Sequence, residues 1–365
     1  MKINFIDLQA QYRAYQKEID REVADVMASA QFIGGPKLQK LENDLAAYSG
    51  AKHAIGCSSG TDALLLSLMA LDIKAGDEVV TTPFTFIATA EVIAFLGAKP
   101  VFVDIDETTY NIDPALIEDA VTERTKAIMP VSLYGQCADM DAINAIAAKH
   151  NLPVIEDACQ SFGAVYNGKK SCNLSTIGCT SFFPSKPLGA YGDGGAVFTS
   201  DDALAEKIRM LLNHGQNERY KHKLIGINGR LDAIQAAVLN VKLAHFNDEV
   251  AARGRIGKAY TEKFSGSGVI APEIRPDRTS VYAQYSVRIE NREAAAKALN
   301  EKGIPTAVHY PMPLHLQEAF ALLGYKTGDF PISERVSGEI MSLPMSPYLT
   351  EEQQDFIVDA LKELA

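Results

Sequence analysis

The chain has 365 residues, of which 47% are hydrophobic and 22% charged, so it is long enough for two domains with sizeable cores. Its formal net charge of −11 argues against a general nucleic-acid-binding protein, which would need a basic face. An anionic small substrate remains compatible with this charge, because a few local Arg or Lys residues can dominate the field in a cleft.

The cysteines and the N-terminal residues predict a cytoplasmic protein. Five Cys are scattered along the chain, an odd number without metal-finger spacing, which favours reduced thiols and predicts no metal site. The N-terminal segment becomes charged within a few residues and lacks the apolar core of a signal peptide. The longest apolar run, Ala63–Leu71, is far shorter than a membrane span, so we expect no membrane association.

From about Ala54 onward, short β-branched segments alternate with amphipathic helical ones. This alternation predicts βαβ units and an α/β fold with a mostly parallel, buried central sheet. The predicted strands are Glu78–Thr82, Val101–Asp104, Lys126–Leu133, Pro153–Glu156, Thr180–Phe183 and Ala196–Thr199. The predicted helices are Thr89–Leu96, Met140–His150, Asp202–Leu212 and Asp232–Leu243. Asp113 is predicted to cap a further helical turn that begins with Pro114.

A second, smaller unit is predicted to begin near Asn247. Its pattern is an alternating strand, a helix, a second strand and a closing helix, predicted at Tyr282–Ile289, Arg292–Lys302, Pro305–Val308 and from Glu351. We therefore expect a large domain with an N-terminal arm, residues 1–246, and a smaller C-terminal α/β domain, residues 247–365.

The first candidate binding segment is Ser58–Asp62, a turn of small residues between a strand and a helix. Free backbone N–H groups and the positive end of the helix dipole suit a phosphate at such a helix start. Taken alone, an ordinary N-cap formed by Ser59 or Thr61 is the better interpretation. The chain has no G-x-G-x-x-G fingerprint and no Walker lysine motif, which disfavours a dinucleotide or ATP site.

Two further segments carry groups that act together with a phosphate site. The strand Pro153–Glu156 is followed by Asp157 and Gln160, at the sheet edge where α/β proteins place their ligands. A buried Asp is costly unless it is paired, and a protonated ring nitrogen would be a suitable partner. Lys186 lies among aromatic and Pro residues, where apolar neighbours would lower the pKa of an amine that forms an imine.

The chain resembles the pyridoxal phosphate (PLP)-dependent sugar aminotransferases of the DegT/DnrJ/EryC1/StrS family, which have the fold-type I architecture. The segments that carry the resemblance are SSGTDAL, IEDACQSFGA, SFFPSKPLGAYGDGGA and INGRLDAIQAA. The resemblance implies that Gly60, Thr61 and Ser181 hold the phosphate, Phe84 stacks on the pyridine ring, Asp157 binds its N1, Gln160 approaches its O3′, and Lys186 forms the Schiff base. It also implies a homodimer with shared active sites, in which Asn228 and Arg230 reach the site of the other subunit. Without the resemblance, Arg230 would be interpreted as part of a surface salt bridge.

Within the family, SLYGQCADMDAIN and PTAVHYPMPLH resemble enzymes that aminate UDP-2-acetamido-2-deoxy-3-keto-glucuronate at C3 for bacterial surface polysaccharide such as O-antigen. The resemblance then implies a sugar pocket lined by Ala30, Phe32, Ser185, Arg230, His309 and Tyr310. These relatives carry Gly and Tyr where this chain has Ala30 and Phe32. His309 could equally be a structural histidine at a strand end.

The implied reaction moves an amino group from glutamate with ping-pong kinetics. Lys186 would act as general base and acid, while Asp157 keeps the ring nitrogen protonated. Some relatives that act as dehydrases have His in place of the lysine, so Lys186 favours amino transfer. The alternatives are amination at C4 of another nucleotide-linked keto-deoxysugar, a PLP-dependent sugar dehydratase, and a cysteine desulfurase.

A short basic run in this acidic chain, Arg219–Lys223, is a further candidate. We hypothesise a loop that meets the pyrophosphate or carboxylate of the substrate, across the dimer. A solvated loop without a binding role is the slightly better interpretation.

Overall fold

The computed structural model of the protein describes residues 2–364. The α-helices are α1 (Leu8–Ser29), α2 (Pro36–Ser49), α3 (Gly60–Ala70), α4 (Ala88–Phe95), α5 (Ile117–Ala120), α6 (Met140–Lys149), α7 (Asp202–Leu211), α8 (Ala233–Ala244), α9 (Phe246–Phe264), α10 (Arg292–Glu301), α11 (Pro331–Glu339) and α12 (Glu351–Lys362). The strands are β1 (His53–Cys57), β2 (Glu78–Thr81), β3 (Lys99–Phe102), β4 (Thr125–Ile128), β5 (Ile155–Asp157), β6 (Val165–Tyr166), β7 (Lys169–Lys170), β8 (Ile177–Ser181), β9 (Gly195–Thr199), β10 (Gln216–Glu218), β11 (Lys221–His222), β12 (Tyr285–Arg288) and β13 (Ile340–Leu343). No helix within residues 2–364 combines the length and the apolar character needed to cross a bilayer.

The central sheet is mostly parallel, as predicted. Strands run in the order β3-β2-β4 in one group and β5-β8-β9-β1 in the other. Parallel bridges from Ile128 to Val154 and from Val131 to Asp157 join β4 to β5, so the two groups form one layer. Within this layer β9 runs antiparallel to both neighbours, whereas β2, β3, β4, β5 and β8 pair in parallel. The α/β fold class is confirmed.

Helix α3 explains why the largest core forms on one face of this sheet. Its sequence GTDALLLSLMA is apolar around most of its circumference, so the helix is stable only when it is buried on several sides. It packs with α4 and α7 against strands β8 and β9. This packing fixes the N-terminus of α3 beside the end of β1, where the chain turns at Ser58.

A second core lies in the C-terminal part of the chain. Strands β12 and β13 pair antiparallel, and helices α9, α10 and α12 pack on them through Tyr260, Leu299 and Ile357. The predicted domain boundary, between residues 246 and 247, falls just inside the first turn of α9. The division into two domains stays a prediction.

Several predicted strands differ from the observed ones. Pro305–Val308 is not a strand, and only Ala307 makes a bridge, to Ser342. Pro305 has no N–H to donate, and a single bridge cannot sustain a ladder. The predicted strand Lys126–Leu133 ends at Ile128, ahead of Pro130, and the strand predicted at Val101–Asp104 lies two residues earlier, at Lys99–Phe102. The sequence patterns predict neither helices α1, α2, α9 and α11 nor strands β6, β7, β10, β11 and β13.

Candidate active site

A cavity of about 470 Å³ lies at the carboxyl edge of the central sheet. This is the edge at which parallel α/β sheets bind ligands, because several strand ends and helix starts converge there. The cavity brings together most of the predicted site residues: Gly60, Thr61, Asp157, Gln160, Ser181, Ser185, Lys186, His309 and Tyr310.

The start of α3 forms a cup at one end of this cavity. Ser59 is the N-cap, and its Oγ accepts a hydrogen bond of 3.0 Å from the backbone N of Asp62. The backbone N–H groups of Gly60 and Thr61 donate to no acceptor within residues 2–364. A Cβ at Gly60 would lie 2.7 Å from the Cβ of Ser181, so only Gly allows this close approach. Two free amides beside a serine hydroxyl form an anion site.

Asp157 is held in one orientation on the cavity wall. Its Oδ2 accepts a hydrogen bond of 2.8 Å from the Oγ1 of Thr89, and its Oδ1 accepts one of 3.2 Å from the backbone N of Cys159. Only 4% of Asp157 is exposed. Asp157 makes no salt bridge within residues 2–364, and a buried carboxylate of this kind is suited to a cationic ligand atom.

Glu156 points away from the cavity, because successive side chains of a strand lie on opposite faces. Its carboxylate accepts hydrogen bonds from the hydroxyls of Ser132 and Ser171 and from the backbone N of Cys172. Burial raises the pKa of Glu156 to about 7. Glu156 is therefore a buried structural residue that lies outside the cavity lining.

Lys186 lies on a tight loop between β8 and β9, and its side chain lines the cavity. Burial lowers the pKa of its ammonium group, while the neighbouring Cys159 and Asp157 act in the opposite direction. A lowered pKa increases the fraction of neutral amine, which is the form that reacts with a carbonyl. This agrees with the prediction from its apolar neighbours.

Gln160, Tyr310 and His309 also line the cavity. The Oε1 of Gln160 accepts a hydrogen bond of 2.9 Å from the backbone N of Tyr134, and its Nε2 donates one of 3.1 Å to the hydroxyl of Tyr310. The Nδ1 of His309 is 2.9 Å from the Oγ of Ser342. Burial, with a smaller contribution from Lys186, lowers the pKa of His309 and favours a neutral imidazole. His309 thus has both a structural partner and a place in the cavity.

The structure does not place Phe84, the residue predicted to stack on the ring, in the cavity. Phe84 is fully buried and packs against Tyr110, Tyr134 and Tyr310, behind the cavity wall. Phe86, two residues later, lines the cavity and is 53% exposed. The aromatic face available to a planar ligand is therefore that of Phe86.

Four predicted residues lie outside the cavity of their own chain. Ala30 ends α1, Phe32 and Asn228 are exposed, and Arg230 pairs by a bridge with Cys57 at the end of β1. Arg230 donates a hydrogen bond of 2.8 Å from its Nη1 to the Oδ1 of Asn213, and it makes no salt bridge within residues 2–364. The alternative of a surface salt bridge is thus wrong, and the roles of these four residues stay predictions.

The structure adds residues that sequence reasoning missed. Thr89, Gln284, Asp193 and Phe86 take part in the site, through the hydrogen bond of Thr89 to Asp157 and through the cavity lining. The Oε1 of Gln284 is buried without a partner in the described residues. The segment TFIATA, which follows a strand end, was the available signal for Phe86 and Thr89, whereas nothing local marks Gln284 or Asp193.

The basic run adopts a hairpin where a loop had been expected. Strands β10 and β11 pair antiparallel, and Lys221 forms an ion pair of 2.5 Å with Glu218. Tyr220, at the turn, is highly exposed. The hairpin lies outside the cavity lining of its own chain.

The cysteines do not support a desulfurase. Burial raises the pKa of Cys137, Cys159, Cys172 and Cys179 well above the ordinary range of a thiol. A desulfurase needs a mobile, easily ionised thiol, and these side chains are not of that kind.

Comparison with known proteins decides the family. The profile of the DegT/DnrJ/EryC1/StrS aminotransferase family matches residues 13–362. The chain belongs to this family. This aminotransferase is 53% identical to the UDP-2-acetamido-2-deoxy-3-oxo-D-glucuronate aminotransferase of Pseudomonas aeruginosa, over 98% of this chain and 99% of that one.

Solved structures of relatives match along the same length. DesV of S. venezuelae, in complex with a ketimine intermediate, has a TM-score of 0.98 at 40% identity and covers 100% of this chain and 98% of its own. The ntda protein of Bacillus subtilis, with bound cofactor PMP, has a TM-score of 0.93 at 31% identity and covers 100% of this chain and 85% of its own. The resemblance stated from sequence motifs is confirmed.

The cofactor of this aminotransferase family is PLP, and the residues of the cavity fit it. The free amides of Gly60 and Thr61 with the hydroxyl of Ser181 suit its phosphate. The oriented carboxylate of Asp157 suits its protonated ring nitrogen, and the amine of Lys186 suits its aldehyde. PLP would therefore lie with its phosphate at the start of α3.

Proposed function

We propose that the enzyme transfers an amino group from glutamate to C3 of UDP-2-acetamido-2-deoxy-3-keto-glucuronate. The observation that carries this proposal is the convergence of Lys186, Asp157 and the α3 cup on one cavity, in a chain 53% identical over nearly its whole length to an enzyme named for that keto sugar. The retained Lys186 favours amino transfer over dehydration, since the lysine is the group that moves the proton.

PLP, when bound, supplies an electron-withdrawing ring conjugated with the carbon that loses its proton. Lys186 provides the base and acid for that proton. Its lowered pKa increases the fraction of neutral amine, and in that form the Nζ atom can accept a proton and return it, as general acid–base catalysis requires. The neutral His309 nearby adds no positive charge that would oppose protonation of Lys186.

Asp157 and Thr89 keep a negative charge directed at the ring nitrogen. The hydroxyl of Thr89 occupies one carboxylate oxygen and the backbone N of Cys159 the other, so the carboxylate cannot rotate freely. An oriented, buried carboxylate stabilises a proton on a nearby nitrogen more strongly than a solvated one.

We further propose that the enzyme works as a homodimer in the cytoplasm, on the route to bacterial surface polysaccharide. Large apolar side chains are exposed beside the cavity and on the N-terminal arm: Met27, Phe32, Ile33, Phe86, Phe183 and Tyr191. Such a concentration of exposed apolar surface is typical of a protein interface. Asn228 and Arg230, which lie outside the cavity of their own chain, would then reach the cavity of the other subunit.

A mixing experiment tests the shared site. Lys186→Ala and Arg230→Ala homodimers should each be nearly inactive. After the two are dissociated and reassembled together, mixed dimers would hold one intact site, and up to half of the wild-type activity per mixed dimer should return. No recovery in verified mixed dimers would contradict the placement of Arg230 across the interface.

Isotope transfer tests the reaction. With ¹⁵N-glutamate and the UDP-linked 3-keto sugar, the sugar product should carry the label on C3, as read by mass spectrometry and NMR. Transfer to C4 of another nucleotide-linked keto sugar, with none to the 3-keto substrate, would overturn the substrate assignment while leaving the amino-transfer chemistry intact.

A further inference from the structure

A buried lysine contacts the loop that carries Lys186. Lys242, in the last turn of α8, is only 2% exposed, and its Nζ donates a hydrogen bond of 2.6 Å to the carbonyl oxygen of Gly189. The same ammonium lies 4.2 Å from the centroid of the Tyr191 ring. Both contacts are to residues within five positions of Lys186.

A second side chain of α8 holds the same loop. The Oε1 of Gln235 accepts a hydrogen bond of 2.9 Å from the backbone N of Tyr191, and its Nε2 lies 3.3 Å from the carbonyl oxygen of that residue. Gln235 and Lys242 are seven residues apart, which places them two turns apart on one face of the helix. The loop from Phe183 to Gly192 is therefore attached to α8 at two points.

The loop itself is tightly folded. The backbone N of Lys186 donates a hydrogen bond of 2.8 Å to the carbonyl oxygen of Phe183. A Cβ at Gly189 would lie 2.4 Å from the carbonyl oxygen of Pro184, so the chain passes very close to itself there. A displacement of Gly189 would therefore be transmitted to the segment Pro184–Lys186.

Burial of Lys242 is costly for the fold. Its ammonium has three donors, and within the described residues it makes one hydrogen bond and no salt bridge. A buried ammonium without a carboxylate partner loses hydration free energy. The interaction free energy of its contacts with one carbonyl oxygen and one aromatic ring is smaller than this loss. An apolar side chain of similar length would fill the same space without this cost, so its presence calls for a role other than stability.

We propose that Lys242 is a positioning residue for Lys186: its ammonium fixes Gly189 and Tyr191 and so sets the place of the Lys186 amine in the cavity. This inference rests on the proposed function of Lys186. It assigns a role in amino transfer to a residue on a helix outside the cavity, and it requires no contact between Lys242 and the substrate.

The test compares three variants in the full-length protein. Lys242→Met removes the charge and the donor, and Lys242→Gln keeps a neutral donor. Gln39→Met, on the exposed face of α2, serves as a control for the introduction of Met into a helix. Hydrogen exchange of the backbone amides of residues 183–192, measured without PLP, reports directly on the loop.

We expect Lys242→Met to unfold at the same temperature as wild type or a higher one, because a buried unpaired charge has been removed. The amides of residues 183–192 should nevertheless exchange at least tenfold faster, and kcat for amino transfer should fall about tenfold with little change in the KM for glutamate. Lys242→Gln should recover part of both losses. The pH at which the PLP absorbance band titrates should shift in Lys242→Met and not in Gln39→Met.

Two results would overturn the proposal. One is unchanged exchange of residues 183–192 in both variants at Lys242. The other is a fall in unfolding temperature with exchange increased uniformly over the chain, which would make Lys242 a structural residue only. If Lys242→Met does not fold, the same measurements on Lys242→Gln are compared with those on wild type. Absence of any PLP band in the wild type would instead contradict the proposed function. The exchange measurement without PLP would still show whether Lys242 holds the loop of residues 183–192.

Discussion

Substitution of Gly60 by Ala is the change whose effect on the cofactor site can be worked out most fully. The added Cβ would lie 2.7 Å from the Cβ and 3.2 Å from the Cα of Ser181, and 2.9 Å from the Sγ of Cys159. Carbon atoms in ordinary contact lie about 3.5–4.0 Å apart, so the start of α3 and the end of β8 must separate by about 1 Å. Overpacking of this kind costs about 1–3 kcal/mol.

The expected consequence is a loss of affinity for the cofactor. The displaced amides of Gly60 and Thr61 and the hydroxyl of Ser181 can no longer converge on one phosphate. If the binding free energy falls by the same amount, the Kd for PLP should rise about 5- to 150-fold. Titration of the protein lacking cofactor with PLP, followed by absorbance, measures this directly.

Gly254→Ala is the matched control. Gly254 lies within α9, and a Cβ there would meet nothing within 4 Å. Ala in a helix interior should stabilise the protein by about 0.5–1 kcal/mol, without effect on PLP. The same Kd for PLP in Gly60→Ala and wild type would refute the assignment of the α3 cup to the phosphate.

Three further predictions follow from the site. Thr89→Val removes a hydrogen bond to the charged Asp157 worth about 1.5–3 kcal/mol, so the rate of the glutamate half-reaction in single-turnover kinetics should fall at least tenfold; an unchanged rate would contradict this role. Glu156→Gln tests the buried carboxyl group. The pKa of Glu156 is about 7 in the folded state and exceeds the ordinary value of 4.5. Ionisation of Glu156 therefore destabilises the fold as the pH rises from about 4.5 to 7. Denaturant titrations should show that the free energy of unfolding of wild type falls by about 3 kcal/mol relative to that of Glu156→Gln over this pH range. A difference between the two proteins that does not change with pH would contradict burial as the cause. Phe86→Ala should weaken PLP binding about tenfold through loss of an aromatic face, and unchanged PLP affinity would remove Phe86 from the ring site.

The parts of the site that follow strand ends could be predicted from sequence. Asp157 and Ser181 are the last residues of β5 and β8, and the start of α3 follows the end of β1. Segments that include these strand ends were recognisable, and the carboxyl ends of neighbouring parallel strands meet at one edge of the sheet. The apolar neighbours of Lys186 likewise predict its lowered pKa. Local sequence patterns therefore contain enough information to place the reactive groups together.

The parts that failed depend on contacts between distant residues. Phe84 and Phe86 have similar local surroundings, and the choice between them is made by Tyr110, Tyr134 and Tyr310, which bury the first ring. Lys242 lies in a helix where a lysine is ordinarily solvated, and it is buried because a loop 53 residues earlier packs over it. Neither periodicity nor propensity reports on such packing.

Lys186 should bind PLP, and the enzyme should take the amino group of glutamate. The most direct measurement is the visible absorbance of the PLP-loaded protein before and after addition of glutamate, for wild type and Lys186→Ala, with borohydride trapping and peptide mass analysis. We predict a visible band in wild type that glutamate removes, and a trapped PLP mass on the peptide that contains Lys186. A wild-type protein that shows no band after PLP is supplied, or PLP trapped on another lysine, would contradict the account.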